Sequence, residues 1–166
     1  MLVAGPIIEL CKLGIWDTFI QRCYVAITRT VAIEAKYASH EFEDIRIDIE
    51  SAENQGLVKI VDVDLSVIKT FYDKFDLLYK AIIDLGEKET LAFLYNSSEN
   101  WHVCAADKAV FRVLGLLGLG QQGISLEEVL EKIGFPRDMK PQYTKNYREK
   151  WTHIGQIDSI QDRGLL

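Results

Sequence analysis

Three carboxylates mark points where helices are expected to begin in the middle of the chain. Asp84 and Glu87 form an Asp-x-x-Glu pattern typical of a capped helix start, and Asp107 follows the apolar run 101–106, which predicts a short strand. A carboxylate at the C-terminal edge of a parallel strand lies where open α/β sheets keep their ligand sites. Oxygen ligands suit Mg²⁺ or Mn²⁺, which polarise a scissile phosphate and activate water for in-line attack. If these residues converge, they predict a metal site for phosphodiester hydrolysis.

Other catalytic patterns are weaker in this sequence. His40, His102 and His153 do not lie beside a nucleophile at an informative spacing, and a zinc site lacks its Cys and His ligands. Residues 118–123 match G-x-G-x-x-G by letter, but a helix rather than a strand precedes them. A nucleotide-binding Rossmann enzyme is therefore the least favoured functional prediction for this sequence.

Composition excludes several classes of protein. At 166 residues the chain is most simply one domain, and no apolar run reaches the roughly 18 residues that span a membrane. The N-terminus lacks the pattern of a signal peptide. Cys11, Cys23 and Cys104 lie among apolar neighbours, so we expect core cysteines in a reducing cytoplasm. A net charge of −6 argues against broad, charge-driven binding of nucleic acid but leaves room for a local basic patch or a bridging metal.

Predicted strands and helices alternate along the chain and would position the acidic residues. Strands are expected at residues 24–28, 57–63 and 101–106, with a strand stump at 1–3 and a last strand near 124. The predicted helices begin near Pro6, Thr28 or Thr30, Ser66 (to about Tyr79), Asp84, Asp107 and Ser125. The acidic run 41–56 is expected to be a solvated loop or helix face. This order predicts an α/β fold: a three-layer α/β/α sandwich with a central, mainly parallel sheet of about five strands.

The C-terminal residues 136–166 form a basic and aromatic extension of an acidic protein. Tyr143, Tyr147 and Trp151 recur every four residues along one stripe of a predicted helix, with basic residues beside them. Two interpretations stay open: a terminal helix packed onto the domain, or an arm that contacts RNA or a partner by stacking and charge. The second interpretation uses Lys145, Tyr147, Arg148 and Trp151.

The order of several short motifs resembles a PIN domain of the VapC-like toxin type. The motifs are the segment 84–92 (DLGEKETLA), the segment 105–109 (AADKA), the Leu-Gly-Leu of 117–119, the Gly-Ile-Ser of 123–125, the opening segment 4–14 and the segment 30–34 (TVAIE). The resemblance covers residues 1–135 and leaves 136–166 outside it. It implies a Mg²⁺- or Mn²⁺-dependent endoribonuclease acting on RNA in the cytoplasm, as a homodimer held silent by an antitoxin protein.

The resemblance also implies which residues form the site. Glu34, Glu87 and Asp107 would hold the metal ion and be catalytic, and Asp84 and Glu89 would stand nearby and support them. A plainer alternative stays open for each ligand. Glu34 would then be a solvated helix residue, Glu87 a capping residue that favours the helix dipole, and Asp107 simply an N-cap.

One position departs from the resemblance. The family's first acid falls at Val3 in this chain, and valine cannot bind a metal ion. We therefore expect weakened ion binding, and three explanations stay open: an N-terminal boundary placed too late, a disabled activity, or a protein that binds without cutting. The last of these is the competing prediction, a non-catalytic module that recognises RNA or an antitoxin-like partner through the same groove and the basic tail.

Overall fold

The computed structural model describes residues 1–41 and 47–166, without the side chains of 39–41. Within these residues the chain forms ten α-helices, two 3-10 helices and four strands. The helices are α1 (Ala4–Lys12), α2 (Trp16–Arg22), α3 (Arg29–Glu41), α4 (Ile49–Asn54), α5 (Leu65–Tyr72), α6 (Leu77–Ile82), α7 (Leu85–Asn96), α8 (Lys108–Leu116), α9 (Leu126–Lys132) and α10 (Lys145–Ile160). The 3-10 helices are Gly120–Gln122 and Pro141–Tyr143, and the strands are β1 (Val25–Thr28), β2 (Val58–Val61), β3 (Val103–Cys104) and β4 (Gly123–Ile124).

The strands form two separate parallel pairs. β1 pairs with β2 over four residues, and β3 pairs with β4 over two. The predicted three-layer sandwich with a central sheet of about five strands is therefore wrong. The described part of the chain is mainly helical, and its strands are too short and too few to form that sheet.

Helix starts and turns interrupt the apolar runs that were expected to form longer strands. The Asp107 side chain N-caps α8 directly after the strand run, and the 3-10 helix Gly120–Gln122 ends where β4 begins. Residues 1–3 form no strand of their own. Leu2 makes one parallel bridge to Cys104, and its N–H donates to the Ala26 carbonyl at 3.1 Å. These residues therefore tie the two strand pairs together without completing a sheet.

Local capping signals are confirmed more often than helix lengths. Capping boxes begin α7 and α9, as their spacing predicts. The single helix predicted over residues 66–79 is instead α5 and α6, because the Asp76 carboxylate accepts a hydrogen bond from the Tyr79 N–H and starts a new helix. The acidic run 41–56 includes α4, and residues 42–46 of that run lie outside the described residues.

Two clusters of buried apolar side chains flank the strands. One surrounds Phe71 and Phe111 with side chains of α5 to α8, and the other surrounds Ile7 and Ile27 with side chains of α1 to α4 and α9. The three cysteines are free, one buried and two half-buried, which agrees with the expected core positions. No helix in the described ranges is long and apolar enough to cross a membrane.

The C-terminal helix α10 packs closely against α8. A Cβ atom at Gly155 would lie 1.9 Å from the backbone oxygen of Arg112, so only glycine permits this approach. The buried Asp158 carboxylate also accepts hydrogen bonds from the Tyr79 hydroxyl at 2.6 Å and from Arg112 Nε at 2.7 Å. Helix α10 is therefore packed onto the domain, as one of the two interpretations of the tail predicts.

Candidate acidic site

A cleft of about 250 Å³ lies where α1, α7 and α8 begin. Four carboxylates from three segments of the chain line it together with small and apolar residues. The acidic residues are Glu34, Asp84, Glu87 and Asp107, and the others are Val3, Ala4, Gly5 and Ala106. The structure thus brings the three predicted ligands, and the predicted supporting residue Asp84, to one cavity.

Two of the carboxylates are fixed by the helices that they cap. Asp84 Oδ1 accepts a hydrogen bond from the Glu87 N–H at 2.8 Å, and Asp107 Oδ1 accepts one from the Ala109 N–H at 2.7 Å. Neither cap uses the second carboxylate oxygen, Oδ2. Capping therefore does not compete with a role in the cleft, because each side chain keeps an oxygen for a ligand.

Glu34 extends from α3 to the start of α7. A Cβ atom at Gly86 would lie 2.5 Å from Glu34 Oε2, so the absence of a side chain at Gly86 makes room for the carboxylate. Burial raises the pKa of Glu34, as do the charges of Asp84 and Glu89, while the Gly86 backbone stabilises the charged form. Glu34 is thus half-buried against α7 and not a freely solvated helix residue.

Glu87 is the most deeply buried acid of the cleft, with 5% of its surface exposed. Burial raises its pKa to about 8, and the charges of Asp84, Asp107 and Glu34 contribute in the same direction. Among the described residues that line the cleft there is no lysine or arginine. The protein therefore gathers negative charge here and supplies no cation of its own in the lining.

Glu89 is buried but does not line the cleft. Its Oε2 atom accepts a hydrogen bond from the Thr30 N–H at 3.1 Å, in the first turn of α3. This contact links α7 to α3, the helices that carry Glu87 and Glu34. Glu89 is therefore placed to position those two side chains relative to each other.

The acids suit a hydrated divalent cation better than a fully enclosed one. Among the residues that the structure describes, no group of three or more His, Cys, Asp or Glu side chains is arranged to hold a metal ion directly. Mg²⁺ keeps several waters in its coordination shell and often binds through only one or two carboxylates. The four acids supply the oxygen ligands that such an ion prefers, and binding of a metal ion in the cleft stays a prediction.

The predicted contact residues of the tail have different environments. Arg148 donates to both carboxylate oxygens of Glu128, at 2.8 and 2.9 Å, so its guanidinium is already bound. Tyr147 and Trp151 are half-buried, with ring centres 6.1 Å apart. Lys145 is exposed and lies 3.8 Å from Glu149. A contact of these residues with RNA or a partner stays a prediction.

Two lysines adjacent in sequence to the acids of the cleft were not singled out by the sequence pattern. Lys88 directly follows Glu87, and Lys108 directly follows Asp107. Their position directly after two predicted metal ligands is the sequence signal that could have identified them. Their aromatic contacts join segments far apart in the chain and carry no such signal.

Comparisons of this chain with protein-family models, with curated proteins and with solved structures found no match. The chemistry of the cleft must therefore be inferred from its own residues. The resemblance to VapC-like PIN domains stays a prediction.

Replacing Glu87 with glutamine should change how stability depends on pH. The pKa of Glu87 is about 8 in the folded protein against a usual value of 4.5, so between these values the folded state holds a proton that the unfolded state has released. The stability of the wild type therefore falls as pH rises through this window, whereas a neutral amide is unaffected. Across this pH window, we expect the free energy of unfolding of Glu87→Gln to fall by about 1–3 kcal/mol less than that of the wild type. Urea unfolding in EDTA at the two ends of the window measures the difference.

Glu131→Gln is the control for this measurement, because Glu131 is an exposed carboxylate on α9. Glutamine can replace glutamate in the capping box, so the comparison at Glu87 isolates the carboxyl group. Identical pH slopes for the wild type and Glu87→Gln would contradict the assignment of a raised pKa to this residue.

Replacing Gly86 with alanine should disturb the cleft without unfolding the protein. The three atoms nearest the added Cβ all belong to the Glu34 carboxyl group, which can rotate away. Alanine also favours a helix over glycine by up to about 1 kcal/mol. We expect unchanged or higher stability, and Mg²⁺ affinity lowered about tenfold or more in a calorimetric titration.

The same substitution in a Glu34→Gln background serves as its control. If Gly86 acts through Glu34, the losses of affinity from the two substitutions will not add. Fully additive losses would mean that Gly86→Ala perturbs the cleft by another route.

Proposed function

We propose that this chain is a Mg²⁺- or Mn²⁺-dependent endoribonuclease that hydrolyses RNA phosphodiesters at the acidic cleft. The observation that carries the proposal is the lining of that cleft by Glu34, Asp84, Glu87 and Asp107, without a basic residue in the described lining. Confined like charges favour binding of a cation. A divalent cation that keeps open positions can then bind phosphate oxygens of a substrate.

On this proposal, Glu34, Glu87 and Asp107 hold the ion directly or through water, and Asp84 and Glu89 keep them in place. When bound, such an ion polarises the scissile phosphate and the attacking water. Water oxygen adds to phosphorus, one P–O bond breaks, and the departing oxygen takes up a proton. The helix cap fixes Asp107 before any ligand binds, which reduces the cost of ordering the site.

The proposed partners and cellular compartment also come from the resemblance to VapC-like PIN domains, and they are proposals as well. The chain would be the toxin of a toxin–antitoxin pair, would form a homodimer and would be silenced by an antitoxin protein in the cytoplasm. Its three free cysteines suit a reducing compartment.

The second candidate is a non-catalytic module that binds RNA or an antitoxin-like partner through the same cleft. Val3 favours it, because this residue lines the cleft at the position where the resemblance implies an aspartate. Val3 also stands at the N-cap of α1, where its side chain makes no capping hydrogen bond. The residue therefore offers neither a ligand to an ion nor an acceptor to the helix.

Substitutions at Val3 separate the two candidates. Val3→Asp adds a carboxylate to the cleft, and Val3→Asn adds a side chain of the same shape without charge. Both can cap α1, so their difference reports the charge alone. In EDTA we expect Val3→Asp to be the less stable variant, because another like charge joins the cluster. With Mn²⁺ it should bind the ion more tightly than Val3→Asn and cleave single-stranded RNA about tenfold faster than the wild type.

Thermal unfolding with and without Mn²⁺, together with a gel assay of RNA cleavage, makes both comparisons. If the wild type and Val3→Asp are equally inactive at saturating Mn²⁺, the nuclease proposal is wrong. RNA binding that persists without cleavage would support the non-catalytic module.

A further inference from the structure

Two lysines beside the acidic cleft each lie over an aromatic ring. The Lys88 ammonium group is 3.7 Å from the centre of the Tyr72 ring, and the Lys108 ammonium group is 5.5 Å from the centre of the Trp151 ring. Lys88 belongs to α7 and Tyr72 to α5, whereas Lys108 belongs to α8 and Trp151 to α10. Lys88 directly follows Glu87 and Lys108 directly follows Asp107, so each pair is joined through the backbone to one acid of the cleft.

A second ammonium group lies near each of these two rings. Lys80 lies 5.6 Å from the centre of the Tyr72 ring, and Lys150 lies 5.4 Å from the centre of the Trp151 ring. Tyr72 is held by a hydrogen bond from its hydroxyl to the Lys80 carbonyl at 2.8 Å. Trp151 is half-buried and packs against the apolar core. Both rings are thus fixed in place, and both are surrounded by positive charge.

These four lysines share one electrostatic property. Within the described residues, none of them forms an ion pair with a carboxylate. Arg148, by contrast, is bound to Glu128 through two hydrogen bonds. On a protein with a net charge of −6, positive groups without a carboxylate partner are suited to contact with an extended polyanion.

We propose that single-stranded RNA crosses the acidic cleft between these two lysine–aromatic pairs. Lys80 and Lys88 bind phosphates on the α7 side, Lys108 and Lys150 bind phosphates on the α8 side, and bases stack near Tyr72 and Trp151. Unpaired bases can stack on aromatic side chains, whereas the bases of a duplex are occupied by pairing and by each other. The inference rests on the proposed function for the identity of the strand as RNA.

The test uses a fluorescein-labelled oligouridine of about 12 nucleotides, with anisotropy measured in Mg²⁺ over a series of salt concentrations. Lys88→Gln/Lys108→Gln should weaken binding about 5- to 20-fold and lower the slope of log Kd against log salt by about 1.4, since each lost phosphate contact in a single strand removes about 0.7. The control is Lys69→Gln/Lys132→Gln, which removes the same charge from exposed positions on α5 and α9. The control should leave the slope unchanged.

Replacement of the aromatic residues should affect binding differently from replacement of the lysines. Tyr72→Leu and Trp151→Leu keep an apolar side chain at each position and should weaken binding about 5-fold or more without changing the salt slope. The same sequence in an RNA duplex should bind more weakly than the single strand. Equal binding of duplex and single strand, or equal salt slopes for the two double lysine variants, would overturn the inference.

The oligouridine recovered from each titration is examined on a gel, so that the two proposals can fail separately. Binding with the expected slopes, but without cleavage by either the wild type or Val3→Asp at saturating Mn²⁺, would support the strand path and remove the nuclease proposal. Cleavage that is equally fast in both double lysine variants would leave the nuclease proposal standing and overturn the strand path. A chain that neither binds nor cleaves the oligomer would overturn both.

Discussion

The central physical feature of this structure is the repulsion between four carboxylates that the fold holds close together. Glu34, Asp84, Glu87 and Asp107 line one small cleft, and burial of Glu87 in this company raises its pKa to about 8. Two of the four acids are held at helix starts, where backbone N–H groups and the helix dipole favour negative charge. Local structure thus stabilises two of the acids, while the proximity of all four disfavours full ionisation of the cluster. A divalent cation would resolve this conflict, which is why the cleft and not the overall fold carries the functional proposal.

Sequence reasoning predicted helix starts well because their signals are local. An Asp or Ser followed three residues later by Glu identifies the beginnings of α7 and α9 without knowledge of the rest of the chain. The sheet was predicted wrongly because strand pairing depends on distant segments. Apolar, β-branched runs were long enough to suggest five strands, yet β3 and β4 have two residues each, and residues 1–3 contribute one bridge. The early start of α8 and the turn before β4 decide how much of each run can pair.

The candidate site was predictable to the extent that its residues sit at recognisable starts of helices. Asp84, Glu87 and Asp107 were found from capping patterns, whereas Glu34 lies in the middle of a helix and was reached only through a resemblance. Its position against Gly86 is a tertiary contact between residues far apart in sequence, which spacing cannot reveal. Arg148 shows the reverse difficulty. Its charge suggested a contact with RNA, and its spacing gave no sign of the ion pair that it forms with Glu128, twenty positions earlier.

Binding of a divalent cation to the cleft should replace a proton on one of its carboxyl groups. A calorimetric titration of the wild type with Mg²⁺ at about pH 7, repeated in two buffers of different ionisation enthalpy, measures the protons released on binding. Because Glu87 is mostly protonated at that pH and must ionise to face a cation, release should approach one proton per ion, and Glu87→Gln should release fewer. Binding without proton release, or the same release from Glu87→Gln, would contradict a cation site that includes the Glu87 carboxylate.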